Sequence, residues 1–175
     1  MKVSGDRTLW LTLSVFAAAY AFQSLSGLSV GFSEHGPSWG RAVYPFFHGA
    51  WWHALGNAVS VALFAVSLRR RHGVGGAFLW ASAFLASWLA TFGSEEAVPT
   101  VGASGILYAM VGMYSTFAMS GGWALTLLVL AAVNVLQYFL MRVNAPLHAF
   151  AFVYGFAAGL AFHAYRRYLE ARGKI

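Results

Sequence analysis

Residues 97–141 read AVPTVGASGILYAMVGMYSTFAMSGGWALTLLVLAAVNVLQYFLM, a stretch without a single charged side chain. A helix needs about 20 residues to cross the hydrocarbon core of a bilayer, so this stretch is long enough for two crossings. Gly121 and Gly122 near its middle have the low steric demand that a tight turn between two helices requires. We therefore predict two consecutive membrane helices here.

Four further runs without charged residues cover residues 8–33, 42–68, 72–94 and 143–165. Each run is long enough for one crossing, and all are too uniformly apolar for the alternating strands of an outer-membrane barrel. The predicted fold class is an all-α membrane protein, a bundle of six transmembrane helices. We place these helices near Leu9–Leu28, Trp51–Leu68, Gly76–Phe92, Ser104–Met119, Trp123–Met141 and Leu147–Tyr165.

The composition excludes a water-soluble globular protein. Hydrophobic residues make up 59% of the chain, charged residues make up 9%, and the mean hydropathy is +0.64. Because no soluble stretch or internal repeat interrupts the pattern, we expect one membrane domain over residues 1–175. The net charge of +6 does not indicate a nucleic-acid partner, since the basic residues lie at helix ends and form no single patch.

The positive charges predict an orientation. Basic residues precede the first predicted span, follow the second and follow the sixth, and with six spans these three positions fall on one side of the membrane. The positive-inside bias makes that side cytoplasmic. We expect a multi-pass integral membrane protein, in the plasma (inner) membrane, with both termini in the cytoplasm. The basic residues are Lys2, Arg7, Arg69, Arg70, Arg71, Arg166, Arg167, Arg172 and Lys174.

This orientation brings the polar residues of three separate spans to one depth near the outer face. His53 and Asn57 lie at the start of the second span, Ser104 at the start of the fourth and His148 at the start of the sixth. Ionisable groups inside a membrane are costly and face the bundle interior or a water-filled cavity. The three span starts therefore predict a functional site, on charge and length alone.

Three motifs lie at or near these span starts. The first, Gly102-Ala103-Ser104-Gly105, is a Gly-x-Ser-Gly motif at a helix start, and the second is a pair of histidines, His48 and His53, five residues apart, with Asn57 four residues further on. The third is Leu147-His148 followed by a stripe of small residues on the sixth span, Ala151, Gly155 and Gly159. The fourth span has its own stripe of small residues, Gly105, Ala109, Gly112 and Thr116, so the two helices could approach closely. Together the three motifs resemble those of the rhomboid family of intramembrane serine proteases.

The resemblance implies a role for each of these residues. Ser104 would be the nucleophile and His148 its general base, while His53 and Asn57, together with Ser104, would stabilise the oxyanion. Tyr108 would stack beside the catalytic histidine, and the supporting residues would be Gly102, Gly105, His48, Gly155 and Gly159. Simpler alternatives stay open: a serine among small residues is common at helix contacts, His53 alone could be structural, and Tyr108 could be a core residue.

The absence of other reactive groups limits the chemistry. No aspartate or glutamate lies in any predicted span, so a serine–histidine dyad is the only serine arrangement available. The chain has no cysteine, which excludes disulfides and thiolate ligands. His48, His53 and His148 could in principle bind zinc, but no carboxylate or cysteine completes the set, and we expect neither a metal nor a cofactor.

The resemblance also implies the partners, which are transmembrane protein substrates within the lipid bilayer. Substrates would enter laterally beside the second and fifth spans, where Trp51, Trp52, Tyr138 and Phe139 could form a gate or serve as interfacial anchors. Two features depart from the family pattern. The loop over residues 29–50 is short and separates its tryptophan and arginine by Gly40, and Ala151 stands where the family commonly has glycine.

Two other functions remain open at this point. A rhomboid fold without activity could bind transmembrane segments for quality control or dislocation. A small transporter could line its path with the same polar residues, although these cluster at one end of the spans and not along a through-path.

Overall fold

In the computed structural model, which describes residues 7–117 and 143–174, the chain is a bundle of helices without a β-strand among those residues. The prediction of an all-helical membrane bundle is confirmed. The predicted fifth span, Trp123–Met141, lies outside the described residues. The helices are α1 (Arg7–Ser26), α2 (Gly40–Val43), α3 (Trp51–His72), α4 (Gly76–Ala90), α5 (Ser104–Ser115) and α6 (Ala145–Ala171), with short 3₁₀ helices at Tyr44–Phe46 and Thr91–Gly93.

Four of these helical segments are long and apolar enough to cross a membrane, as judged by length and composition. They are Arg7–Ser26, Trp51–His72, Gly76–Gly93 and Ala145–Ala171. Each agrees with a predicted span to within a few residues, except that α6 continues to Ala171. The chain is an integral membrane protein.

The helix α5 lies at the centre of the described bundle. It packs against α3, α4 and α6, and its contact with α6 is the most extensive between any two described helices. Most of its side chains are buried, including Ile106, Met110 and Met113. Since lipid is as apolar as the core, packing of this kind gains from close van der Waals contact and not from exclusion of water.

Small residues let α5 and α6 approach with their backbones in contact. A Cβ atom added to Gly155 would lie 2.6 Å from the Cα of Ala109, and one added to Gly112 would lie 2.8 Å from the backbone nitrogen of Phe156. A Cβ atom on Gly159 would lie 2.6 Å from Oγ1 of Thr116. The residue numbers of the contacting pairs increase together along both helices. The helices α5 and α6 therefore run parallel, with their N-termini at the same end.

Gly105 has a different neighbour from the one its place in the small-residue stripe predicts. A Cβ atom there would overlap the hydroxyl of Tyr44 and lie 2.5 Å from Oγ of Ser87. These two hydroxyl oxygens are themselves 2.5 Å apart and hydrogen-bonded. Gly105 therefore leaves room for the buried Tyr44 ring from the loop over residues 29–50, which we call the first loop. The contact of α5 with α6 begins one turn further along α5.

The cationic helix ends lie together at the opposite end of the bundle from the start of α5. Arg69 near the end of α3 donates a hydrogen bond to Thr8 at the start of α1. The rings of His72 and His163 both lie against Phe117, at centroid distances of 4.3 and 4.4 Å. The predicted grouping of these charged ends on one side of the bundle agrees with these contacts.

Candidate active site

The start of α5 is the point where the residues selected from sequence meet. Gly102 has a φ of 113°, a left-handed conformation that glycine adopts without strain, and Ser104 follows as the first residue of α5. Ser104 is partly exposed, whereas Gly102, Ala103 and Gly105 are buried. The conformation of Gly102 turns the chain into the helix and leaves the serine at its accessible end.

His53 and Asn57 lie directly against Gly102. A Cβ atom on Gly102 would lie 2.7 Å from Cε1 and 3.0 Å from Nε2 of His53, and 3.2 Å from Nδ2 of Asn57. Their spacing of four residues on α3 puts both nitrogens on one helical face, toward the segment that precedes Ser104. The structure thus brings two potential hydrogen-bond donors to the segment that precedes Ser104.

His148 is in the first turn of α6, and its side chain is buried. Its ring stacks on Tyr108 with a centroid distance of 4.2 Å and an interplanar angle of 6°. Tyr108 lies one turn after Ser104 on the same face of α5. Because α5 and α6 run parallel, the stacked pair places the imidazole beside the first turns of α5, on the face that carries Ser104.

His48 connects the first loop to the segment that precedes Ser104. Its Nε2 atom accepts a hydrogen bond of 3.3 Å from the backbone N–H of Ala103 and lies 3.1 Å from Nδ2 of Asn57. Two donors at one ring nitrogen require the neutral imidazole. Burial, aided by the nearby His53, lowers the pKa of His48 to about 4 and maintains that form. The resemblance implies a supporting role for His48, and these contacts show which segments the ring joins.

Sequence reasoning missed Gln23 in α1, whose side chain forms hydrogen bonds with both the carbonyl and the N–H of His48. Its Nε2 donates to the His48 carbonyl at 2.7 Å, and its Oε1 accepts from the His48 N–H at 2.9 Å. A glutamine in a span is visible in sequence, but its partner lies 25 residues away. No local pattern connects the two.

The first loop is anchored to the segment before Ser104 in spite of its short length. Phe32 and Thr100 pair through two backbone hydrogen bonds of 3.1 and 2.9 Å, and Gly102 donates to the carbonyl of Tyr44 at 3.0 Å. Arg41 donates to the Thr91 carbonyl at 2.6 Å and forms an ion pair with Glu95. Although Gly40 separates the tryptophan from the arginine, unlike in the family pattern, Arg41 still makes contacts that hold the loop.

The remaining predictions about the site fall partly outside the described residues. Trp51 and Trp52 are exposed at the start of α3, with ring centroids 6.0 Å apart, whereas Tyr138 and Phe139 lie beyond the part of the chain that the structure describes. Within residues 7–117 and 143–174, no group of three or more histidine, cysteine, aspartate or glutamate side chains could hold a metal ion.

The fold is a helical membrane bundle, and a cluster of polar residues lies at the end of the bundle where the parallel helices α5 and α6 both begin. The family model for the Rhomboid domain matches residues 35–168, well over half of the chain. The chain belongs to the rhomboid family. A search of curated proteins returned no match.

Proposed function

We propose that this chain is an intramembrane serine endopeptidase that cleaves transmembrane segments near the extracytoplasmic face through a dyad of Ser104 and His148. The observation that carries the proposal is the stacking of His148 on Tyr108 beside the start of α5, where Ser104 is partly exposed. Family membership supports the same function. In the proposed orientation the chain lies in the plasma (inner) membrane with both termini in the cytoplasm, in accordance with the cationic helix ends.

The proposed reaction follows the general scheme of acyl transfer. Ser104 Oγ attacks the carbonyl carbon of the scissile peptide while His148 removes its proton, which gives a tetrahedral oxyanion. Collapse of this intermediate breaks the C–N bond, and His148 delivers the proton to the leaving amine. Water, activated by the same imidazole, then hydrolyses the acyl-enzyme and restores Ser104. The donors proposed for the oxyanion are His53, Asn57 and the backbone N–H of Ser104.

Covalent labelling of the wild-type chain tests the proposal. Protein purified in detergent is treated with a fluorophosphonate probe, and the peptides are mapped by mass spectrometry. In parallel, liposomes that contain the chain receive a model membrane substrate with a helix-destabilising transmembrane segment. We expect an adduct on Ser104 and cleavage within the segment. An unlabelled, inert protein in several lipids would favour the inactive binding protein, and solute flux into the liposomes would favour a transporter.

Replacement of His53 by alanine tests the oxyanion assignment. We expect kcat to fall by about 10² to 10³-fold with little change in KM, because a hydrogen bond to the oxyanion exists only once the charge develops. The matched control is His72→Ala, the same substitution at the other end of α3, where the ring stacks on Phe117. Equal kcat values for His53→Ala and wild type would contradict the assignment.

A further inference from the structure

We infer that Asn144 is a positioning residue that couples the segment preceding Ser104 to the helix that carries His148. The inference rests on the proposed function and adds a residue that the sequence motifs do not contain. Asn144 is buried, with 4% of its surface exposed, and it occupies the N-cap position of α6. It lies four residues before His148.

One end of the Asn144 amide shapes the first turn of α6. Its Oδ1 atom accepts a hydrogen bond of 2.9 Å from the N–H of Leu147, which is the usual capping contact. The Asn144 carbonyl accepts from the N–H of His148 at 3.3 Å. These two bonds define the turn in which His148 sits, and the proline at position 146 favours the same helical start.

The other end of the same amide holds the loop that leads to Ser104. Nδ2 of Asn144 donates to the Ser94 carbonyl at 2.7 Å and to Oγ1 of Thr100 at 3.0 Å. Thr100 is also fixed through its backbone to Phe32 and lies two residues before Gly102. A single side chain thus joins the loop that leads to Ser104 to the turn that carries His148, although Ser104 and His148 lie 44 positions apart in sequence.

The chemistry of the side chain explains why asparagine suits this position. The amide offers one acceptor and two donor hydrogens on a short stem, and all three are used here. Serine keeps the capping acceptor but cannot reach both acceptors in the loop. Asn144→Ser therefore retains the helix cap and weakens the connection to the loop. Aspartate is less informative because its carboxylate would face the Ser94 carbonyl. Thr100→Val is a second variant, which removes one acceptor and leaves the cap unchanged.

The experiment combines kinetics with hydrogen exchange. For Asn144→Ser we expect kcat to fall by about tenfold to 10²-fold with KM nearly unchanged, as follows from a small displacement of reacting groups, and a smaller fall for Thr100→Val. Deuterium uptake should rise in peptides that cover residues 94–103, while the first turns of α6 stay protected. The control is Leu68→Ala, which removes buried packing near the cationic end of α3 and should lower the melting temperature without changing kcat.

The outcomes separate this inference from the proposed function. Wild-type kcat and wild-type exchange in both Asn144→Ser and Thr100→Val would overturn the coupling, as would a loss of kcat that Leu68→Ala reproduces at the same melting temperature. A wild-type chain that neither labels nor cleaves would count against the proposed function. In that case only the deuterium uptake of residues 94–103 tests whether Asn144 holds this loop. Faster uptake in Asn144→Ser supports the coupling, and unchanged uptake overturns it.

Discussion

Replacing His148 by alanine is expected to lower the cleavage rate by about 10⁶-fold, and replacing Ser104 by alanine should lower it equally. A hydroxyl is a weak nucleophile until a base removes its proton, and without Ser104 no acyl-enzyme forms. In the proposed dyad the two groups act as a unit, so the double variant should be no slower than either single one. The measurement is single-turnover cleavage of the model substrate, with fluorophosphonate labelling as a second readout.

The chain contains matched controls for both substitutions. His163→Ala is the same change on the same helix as His148, but His163 lies toward the cationic end and its Nε2 is 3.2 Å from Oγ1 of Thr116. Ser82→Ala removes a partly exposed hydroxyl on α4 that, in the described part of the chain, donates to carbonyls of its own helix. Both controls should cleave at close to the wild-type rate. Full activity in His148→Ala would exclude it as the base.

Substituting Gly155 by alanine should destabilise the bundle by about 3 kcal/mol or more. The added methyl group would overlap the carbonyl of Ala109 and lie 2.6 Å from its Cα atom. Backbone atoms cannot rotate away as a side chain can, so α5 and α6 must separate. Since the same contact holds Tyr108 against His148, we also expect lower activity in the fraction that remains folded. Thermal unfolding in detergent measures the loss of stability.

The matched control for this change is Gly56→Ala. Gly56 is on α3, and nothing lies within 4 Å of an added Cβ atom. The substitution should leave stability within about 1 kcal/mol of wild type, in the favourable direction, because alanine loses less backbone entropy in a helix. Similar unfolding temperatures for the two variants would show that α5 and α6 are not in backbone contact.

Much of the site could be predicted because its residues follow local rules. The four-residue spacing of His53 and Asn57 puts them on one face of a helix whatever the tertiary fold. The small residues at Ala109, Gly112, Gly155 and Gly159 likewise identify the faces of two helices that can approach closely. The cap at Asn144 could also have been found, since asparagine before Ala-Pro is a recognised helix start.

Other parts of the site depend on partners that no local pattern specifies. Gln23 reaches the His48 backbone across 25 positions, and Arg41 reaches Thr91 across 50. Gly105 belongs by spacing to the stripe that faces α6, yet it accommodates Tyr44 from the first loop. In each case the packing of whole helices and loops against one another determines which neighbour the residue contacts.

Hydropathy, the distribution of charge and helical periodicity predicted from sequence that the chain is a helical membrane protein, which faces carry small residues, and which end of the spans holds the polar groups. These properties follow from the length of each apolar run and from the 3.6-residue repeat. Only the tertiary structure decided that Gly105 faces Tyr44 and not α6, that Gln23 binds the His48 backbone, and that one amide at Asn144 holds two segments. Such contacts join residues distant in sequence, and their geometry depends on interhelical distances of a few ångströms that local sequence does not encode.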